Sequence, residues 1–281
     1  PGLIKTYGGD KDWYKDELPK HTLSLPGFYL GLFPVTNAQF QAFVDQGGYN
    51  HQSYWVEAAN AKRWKIENGR GMVTYSGREG RICPYDYGEP FNLSNHPVVG
   101  VTWYEALAYS RWLDEQLRAI APEILHRHAK QPLDPAQVEF WQGLADMKLQ
   151  VRLPSEAEWE RAARTTHGRQ YPWGGDYDPE KTNTADTGIL TTSTVGCFPA
   201  GASQEGVQDL TGNVWEWTRS VYADYPYPGT DNPDKVKERE DLSSESPRVL
   251  RGGAFLYNRW YARSASRLRL NPGTQYWNYG F

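Results

Sequence analysis

The segment Asp209–Thr218 (DLTGNVWEWT) concentrates groups that could hold a hard cation. Asp209 and Glu216 offer carboxylates, and Gly212 and Val214 offer backbone carbonyls, so one tight turn supplies the oxygen ligands that Ca2+ prefers. The competing reading is a polar turn locked by Trp215 and Trp217. Softer chemistry is scarce. The two cysteines, Cys83 and Cys197, form no Cys-x-x-Cys pair and no disulfide framework, and nothing in the sequence supports a bridge between them. Of the six histidines, His21, His51, His96, His126, His128 and His167, only His126 and His128 are close, and a gap of two points them apart on a helix. His96, before Pro97, reads as a turn or core residue rather than a ligand. Residues 248–281 hold no His, Cys, Asp, Glu or Lys. They carry six Arg and eight aromatics, a segment charge of +6 in a chain of net charge −4. A basic tail is one mark of a nucleic-acid surface. Here the Arg alternate with Leu and aromatics, whose faces pack Arg stems, so the segment reads as structured and no specific nucleic acid is expected.

These groups need a scaffold. The chain has 281 residues, 39% apolar and 23% charged, enough to build a core. No run approaches the ~18–20 apolar residues of a membrane span, and no basic-then-apolar signal opens the sequence, although its start at Pro1 leaves a processed chain open. With 27 Gly, 19 Pro and 12 Trp, the composition predicts turns and long loops pinned by aromatics. Three segments share a helix-start signature of Ser or Thr followed three residues later by Glu or Gln: Thr36/Gln39, Thr102/Glu105 and Ser155/Glu158. The first helix places Phe40, Phe43 and Val44 inward; the second, Trp103 to about Leu117, places Ala106, Tyr109, Trp112 and Leu113; the third, Glu156 to about Arg164, uses Trp159 and Ala163. Leu23–Leu30 and Arg248–Ala254 read as strands. Residues 119–150 read as a helical insertion, Tyr171–Tyr177 and Tyr222–Pro233 as loops, and Lys235–Glu245 as a solvated, mobile loop.

The stretches FYLGLFPVTNAQFQAF, HPVVGVTWYEALAYSRWL, RLPSEAEWERAAR, YPWG, DLTGNVWEWT and RVLRGGAF together resemble the formylglycine-generating-enzyme (sulfatase-modifying factor) domain family. The resemblance implies an α+β architecture, a variant of the C-type-lectin fold with a small twisted sheet, as one domain over residues 1–281. It also implies calcium at the positions of Asp209, Gly212, Val214 and Glu216, and it leaves a second site near Asn183-Thr184 open. The family's oxidase holds Cu(I) between two cysteines five residues apart just after the Gly-Gly of the C-terminal strand. From Gly252-Gly253, those positions are Tyr257 and Ala262 here, so no copper and no such enzyme activity are expected. A related group of the fold joins sulfur to carbon with His-ligated iron, but this chain has no His-x-x-x-His-x-Glu helix.

The segment RVLRGGAFLYNRWYARSASRLRLNPGTQYWNYGF further resembles the variable region of diversity-generating retroelement target proteins. Gly252, Gly253, Arg263, Ser264, Ala265, Arg267, Arg269, Asn271, Pro272, Gly280 and Phe281 match that group's fixed positions. Leu256, Tyr257, Tyr261, Ser266, Leu268, Leu270 and Tyr276 are residue types that adenine-directed change yields from Asn codons; Trp260 and Trp277 are not. Tyr and Trp give rigid contact area at low entropic cost. The expectation is a non-catalytic ligand-binding protein whose variable surface comprises Leu256, Tyr257, Trp260, Tyr261, Ser266, Leu268, Leu270, Tyr276 and Trp277, with a protein or other macromolecule as partner. Leu268 and Leu270 alternate with Arg267 and Arg269, so if the Arg are buried the two Leu should be exposed. Two alternatives remain: a sensor or adaptor module of a larger protein, or a metalloenzyme of this fold with a divergent site. Two free cysteines favour a reducing, cytoplasmic setting or a phage-associated product.

Overall fold

A computed structural model describes residues 15–19, 21–74, 80–128, 133–228 and 232–281. Helices form where the caps predicted them. In α1 (Asn37–Asp45) the Thr36 N–H donates to Gln39 Oε1 at 2.9 Å and the Gln39 N–H returns to Thr36 Oγ1 at 3.3 Å. A short α2 (Val56–Asn60) and the hairpin of β1 (Trp64–Glu67) and β2 (Arg70–Val73) follow, with Trp55 stacked on Trp64 at 6.1 Å. In α3 (Trp103–His128) Thr102 and Glu105 exchange the same pair of bonds, at 2.7 and 3.3 Å. Phe40 and Phe43 of α1 pack on Tyr109 and Trp112 of α3 with ring centroids 5.4–6.0 Å apart. Complete burial of each Phe is worth about 1.5–3 kcal/mol.

α3 runs well past the expected end near Leu117 and carries Pro122 inside it. Helix formers flank the proline, and the i,i+4 pairs Asp114–Arg118 (2.8 Å) and Glu123–Arg127 (2.5 Å) each add about 0.2–0.5 kcal/mol against its cost of about 3 kcal/mol. The insertion is thus the end of α3 followed by α4 (Pro135–Ala145), which Asp134 and Gln137 cap; residues 129–132, Pro132 among them, lie outside the described residues. α5 (Glu156–Arg164) starts at Ser155 and buries Trp159 and Ala163.

The main sheet has the order β5-β4-β3-β6. Its centre is β3 (Trp215–Val221), antiparallel to β4 (Arg248–Arg251), which in turn pairs antiparallel with β5 (Leu268–Leu270); β6 (Tyr279–Gly280) joins β3 in parallel. Trp215 and Trp217 are buried, and the Trp103 indole N–H donates to the Thr218 carbonyl at 3.0 Å, fastening α3 to the sheet. Much of the aromatic excess does scaffold work: most of the buried aromatic side chains share one core between α1, α3 and this sheet.

Two expectations change. Leu23–Leu30 forms no strand: Leu23 and Leu25 pack on Ala157, Tyr225 and Tyr227, and Leu30 packs near Trp159, but the backbone finds no strand partner among the described residues. Alternation here reports a chain lying across a surface. Lys235–Glu245 begins within a helix, α6 (Pro233–Arg239), because Asn232 caps it and Arg239 is buried against Glu156 at 3.1 Å and over the Tyr227 ring. Residues 229–231 of the expected loop before it lie outside the described residues. Among the described residues no helix is long and apolar enough to cross a membrane.

Candidate ligand-binding surface

The C-terminal segment leaves β4 through Gly252 and Gly253, both at positive φ (98° and 78°). A Cβ on Gly253 would lie 2.8 Å from Ala262 Cα, so only glycine lets the returning chain approach this closely. Residues 255–262 are then pinned from below. Phe255 N–H donates to Asn213 O (3.0 Å), Ala185 N–H to Tyr257 O (3.0 Å), Arg259 N–H to Asp186 Oδ2 (2.7 Å) and Tyr171 OH to Arg259 O (3.1 Å). This is a fixed loop, and it turns Leu256 and Trp260 outward, 42% and 49% exposed.

The positions that would carry copper-binding thiols are occupied otherwise. Tyr257 is half-buried, its ring edge-on to Trp215 at 5.7 Å and to Tyr261 at 5.3 Å, while the Ala262 methyl is wholly buried. The second half of the surface joins through shared aromatics. Phe91 lies 5.9 Å from Phe255 and 6.1 Å from Trp277, and Tyr279 hydrogen-bonds Tyr257 while its ring lies 6.2 Å from that of Tyr276. Burial, with Tyr257 and Tyr276 adding to it, pushes the Tyr279 phenol up to about 12. Tyr276 is 46% exposed and Trp277 half-buried.

Three of the nine expected surface residues sit differently. Ser266 is buried, its hydroxyl donating to Trp260 O at 3.0 Å, so it buttresses the loop and does not belong to the surface. Leu268 and Leu270 are half-buried on the core, contrary to the exposure expected once Arg267 was buried. Arg267 precedes β5 and turns toward Glu156, so the strand's alternation begins only at Leu268 and leaves Arg269 outward. β5 and β6 also lie at opposite sheet edges, three strand spacings or about 14 Å apart. The structure thus gathers Leu256, Tyr257, Trp260, Tyr261, Tyr276 and Trp277 and sets the two leucines apart.

All six Arg of the segment find partners inside the protein or at its edge; the exposed Arg269 lies over the Tyr222 ring at 4.8 Å. Arg251 donates to the Ala265 and Ser266 carbonyls (2.6 and 2.7 Å) and to Glu160 (2.5 Å), and Arg263 holds Glu17 in two bonds of 2.8 and 2.6 Å. Arg267 grips Glu156 at 2.6 and 3.1 Å between the Tyr222 and Tyr225 rings. Arg248 spends its donors on four carbonyls over the Trp103 ring, and Arg259 pairs with Asp186. Burial would raise the Glu156 carboxyl, but Arg267, Arg251 and Arg239 outweigh it and hold it down at about 2. Asp16 and Glu17, which complete this network, carry no local signal in the sequence; only the long-range pairing reveals them.

Of the four oxygen sources, Asp209, Gly212 and Val214 lie in the turn before β3, and Glu216 is the second residue of that strand. Asp209 and Asn213 both adopt positive φ (59°), and Gly212 must, because a Cβ there would meet Asn183 O at 2.2 Å. Burial raises Asp209 to about 6 against the Gly196 N–H bond (2.6 Å), and raises Glu216 to about 8 against the Trp159 indole bond (2.7 Å). Two buried carboxyls without a guanidinium suit a hard cation, with the remaining ligands from carbonyls; among the described residues no three His, Cys, Asp or Glu converge. His96 is buried and bonded to Thr192 at 2.9 Å, as a core histidine should be, and both cysteines are free and exposed. The His128 side chain lies outside the described residues.

The sulfatase-modifying factor enzyme 1-like domain matches residues 1–281. The serine/threonine-protein kinase Pkn1 of Chlamydia trachomatis is 32% identical over 97% of this chain and 35% of its own length. A hercynine oxygenase of Mycolicibacterium thermoresistibile is 30% identical over 85% of this chain and 46% of its own. The formylglycine-generating enzyme of Mus musculus is 25% identical over 100% and 72%. The chain therefore spans a third to a half of the first two relatives. In fold it is similar to PvdO of Pseudomonas aeruginosa (TM-score 0.61, 20% identity, 99% of this chain and 88% of that one). It is also similar to Treponema denticola variable protein 1 (TM-score 0.57, 22% identity, 100% and 91%). The chain belongs to the sulfatase-modifying factor enzyme 1-like domain family.

Proposed function

We propose that the chain is a non-catalytic binding domain of this family, presenting Leu256, Tyr257, Trp260, Tyr261, Tyr276 and Trp277 to a protein or other macromolecular partner. The observation that carries the reading is the replacement of the paired thiols by a packed tyrosine ring and a buried methyl, with exposed hydrophobic side chains around them. Exposed Trp, Tyr and Leu over a rigid backbone are what an interface centre needs. Asp209, Glu216 and the Gly212 and Val214 carbonyls would hold calcium, whose charge would offset two buried carboxylates and fix the turn that supports Phe255. The test is an aerobic assay with copper and a cysteine-containing sulfatase-motif peptide. No aldehyde product and no tight Cu(I) binding are expected, and formylglycine formation would overturn the reading.

A second reading is favoured by the share of the chlamydial kinase that is matched: the domain then acts as the sensing module of a longer protein. Deleting the equivalent domain from a full-length homologue separates the two. Lost control of the attached activity supports a sensor, and unchanged control supports a free-standing binder.

A further inference from the structure

Beside the C-terminal surface lies a cavity of about 220 Å3 between α1 and the loop 83–92. A water takes about 30 Å3, so the space admits a group of several heavy atoms. Its aromatic walls are Phe40, Tyr85, Tyr87 and Phe91; the Tyr85 and Tyr87 rings are tilted with centroids 4.7 Å apart, and Phe91 meets Tyr87 edge-on at 6.3 Å. Asp86 stands between the two tyrosines. Its Oδ1 is fixed by the Gly88 N–H (2.7 Å) and by Asn92 Nδ2 (3.1 Å), and its Oδ2 accepts no hydrogen bond among the described residues.

The surrounding charge has one sign. Residues 82–100 contain Asp86 and Glu89 and no Lys or Arg. Arg81, which donates to the Cys83 carbonyl, is neutralised by the buried Glu105. The positive end of α1 would oppose a cation, but its first N–H groups are already covered: Asn37 and Ala38 donate to the His96 and Ser94 carbonyls at 3.0 Å each. The loop is also held in place, since Tyr85 N–H donates to Gly100 O (3.0 Å) and Gly100 N–H to Tyr276 O (3.1 Å). Tyr87 lies 6.3 Å from Tyr276 and 6.1 Å from Trp277, which makes the cavity the immediate neighbour of the surface described above.

Tilted tyrosine faces with one free carboxylate oxygen and no Lys or Arg among the described lining residues are the chemistry that recognises an ammonium or guanidinium group. We propose that this cavity receives a lysine or arginine side chain of a protein partner, a fixed anchor beside the C-terminal surface. The proposal rests on the chain being a binding domain and adds the chemistry of its partner. The acid and the rings supply charge and cation–π attraction together, and an uncharged side chain of equal length gains neither.

The test uses the full chain and three blocked tripeptides, Gly-Lys-Gly, Gly-Arg-Gly and Gly-norleucine-Gly, followed through the backbone amide shifts of residues 83–92. A basic tripeptide is expected to bind about tenfold more tightly than the norleucine one and to weaken with added salt. Asp86→Asn should remove most of that preference, as should Tyr85→Leu, which loses the ring; Ile66→Ala, at an exposed position of β1 outside both the cavity and the C-terminal surface, should leave it intact. Equal affinity for norleucine overturns the proposal, as does tighter binding of choline than of either basic tripeptide, which would assign the cavity to a small quaternary ammonium. Neither result bears on the oxidase assay, so the two readings fail separately.

Discussion

Trp260 and Arg267 lie seven residues apart in one segment and meet opposite environments. Trp260 has half its surface in water and a backbone held from below, while Arg267 is buried, with two bonds to Glu156, a tyrosine ring on either side and the Asp16 carbonyl as a further acceptor. The same division runs through the whole C-terminal segment. Gly252, Gly253, Arg251, Arg263, Ser264, Ala265 and Ser266 are buried, and Leu256, Asn258, Arg259, Trp260 and Tyr276 are exposed. Contacts that set the loop's shape use backbone atoms, buried Arg and two outward side chains, Arg259 on Asp186 and Asn258 Oδ1 accepting the Trp260 N–H, which leaves Leu256, Trp260 and Tyr276 with little structural duty. A surface built this way can change its chemistry without changing its form.

The largest effect should come from the buried half. Glu156→Ala strips Arg267 and Arg239 of their carboxylate and leaves two buried guanidiniums, which should cost about 3–5 kcal/mol in chemical denaturation. A loss below 1 kcal/mol would break the comparison. A middle effect separates two buried carboxyls. Glu156, held down at about 2, contributes stability above its ordinary 4.5 that is lost as pH falls toward 2. Glu216, raised by burial to about 8, takes up a proton on folding, so without calcium stability should fall as pH rises from 4.5 to 8. Millimolar calcium should flatten that decline in thermal melts at pH 5, 6.5 and 8; identical profiles with calcium and with chelator would count against the cation site. The smallest effect belongs to the exposed half. Leu256→Ala, Trp260→Ala and Tyr276→Ala should each change stability by no more than about 0.5 kcal/mol. A loss of 2 kcal/mol at any of them would mean that the side chain holds the fold.

The elements that the sequence discloses are those with local causes. Thr36, Thr102 and Ser155 announce α1, α3 and α5 because a cap and its partner lie within one turn. β3 escapes notice because it is buried on both faces at the centre of the sheet, and such a strand has no alternation to read. α6 hides in a charge run because its anchor is Arg239, a residue whose burial depends on Glu156, far away in the chain. The site divides likewise. Tyr257 and Ala262 follow from counting past Gly252-Gly253, but the burial of Ser266, the inward turn of Arg267 and the gathering role of Phe91 depend on contacts between distant segments.

The pairing of Glu17 with Arg263, together with the bonds that Asp16 accepts from Arg267 and Tyr222, has a consequence in time. On the ribosome the early segment is made first, and the Arg263 guanidinium that completes it arrives 246 residues later. Val35, which donates to Phe281 O at 2.8 Å, waits equally long. Such distant closures place the domain toward the slow end of folding rates. An interrupted synthesis would leave the acidic residues of the early segment and the edge of β3 without partners, a species exposed to aggregation until the final strand closes the sheet.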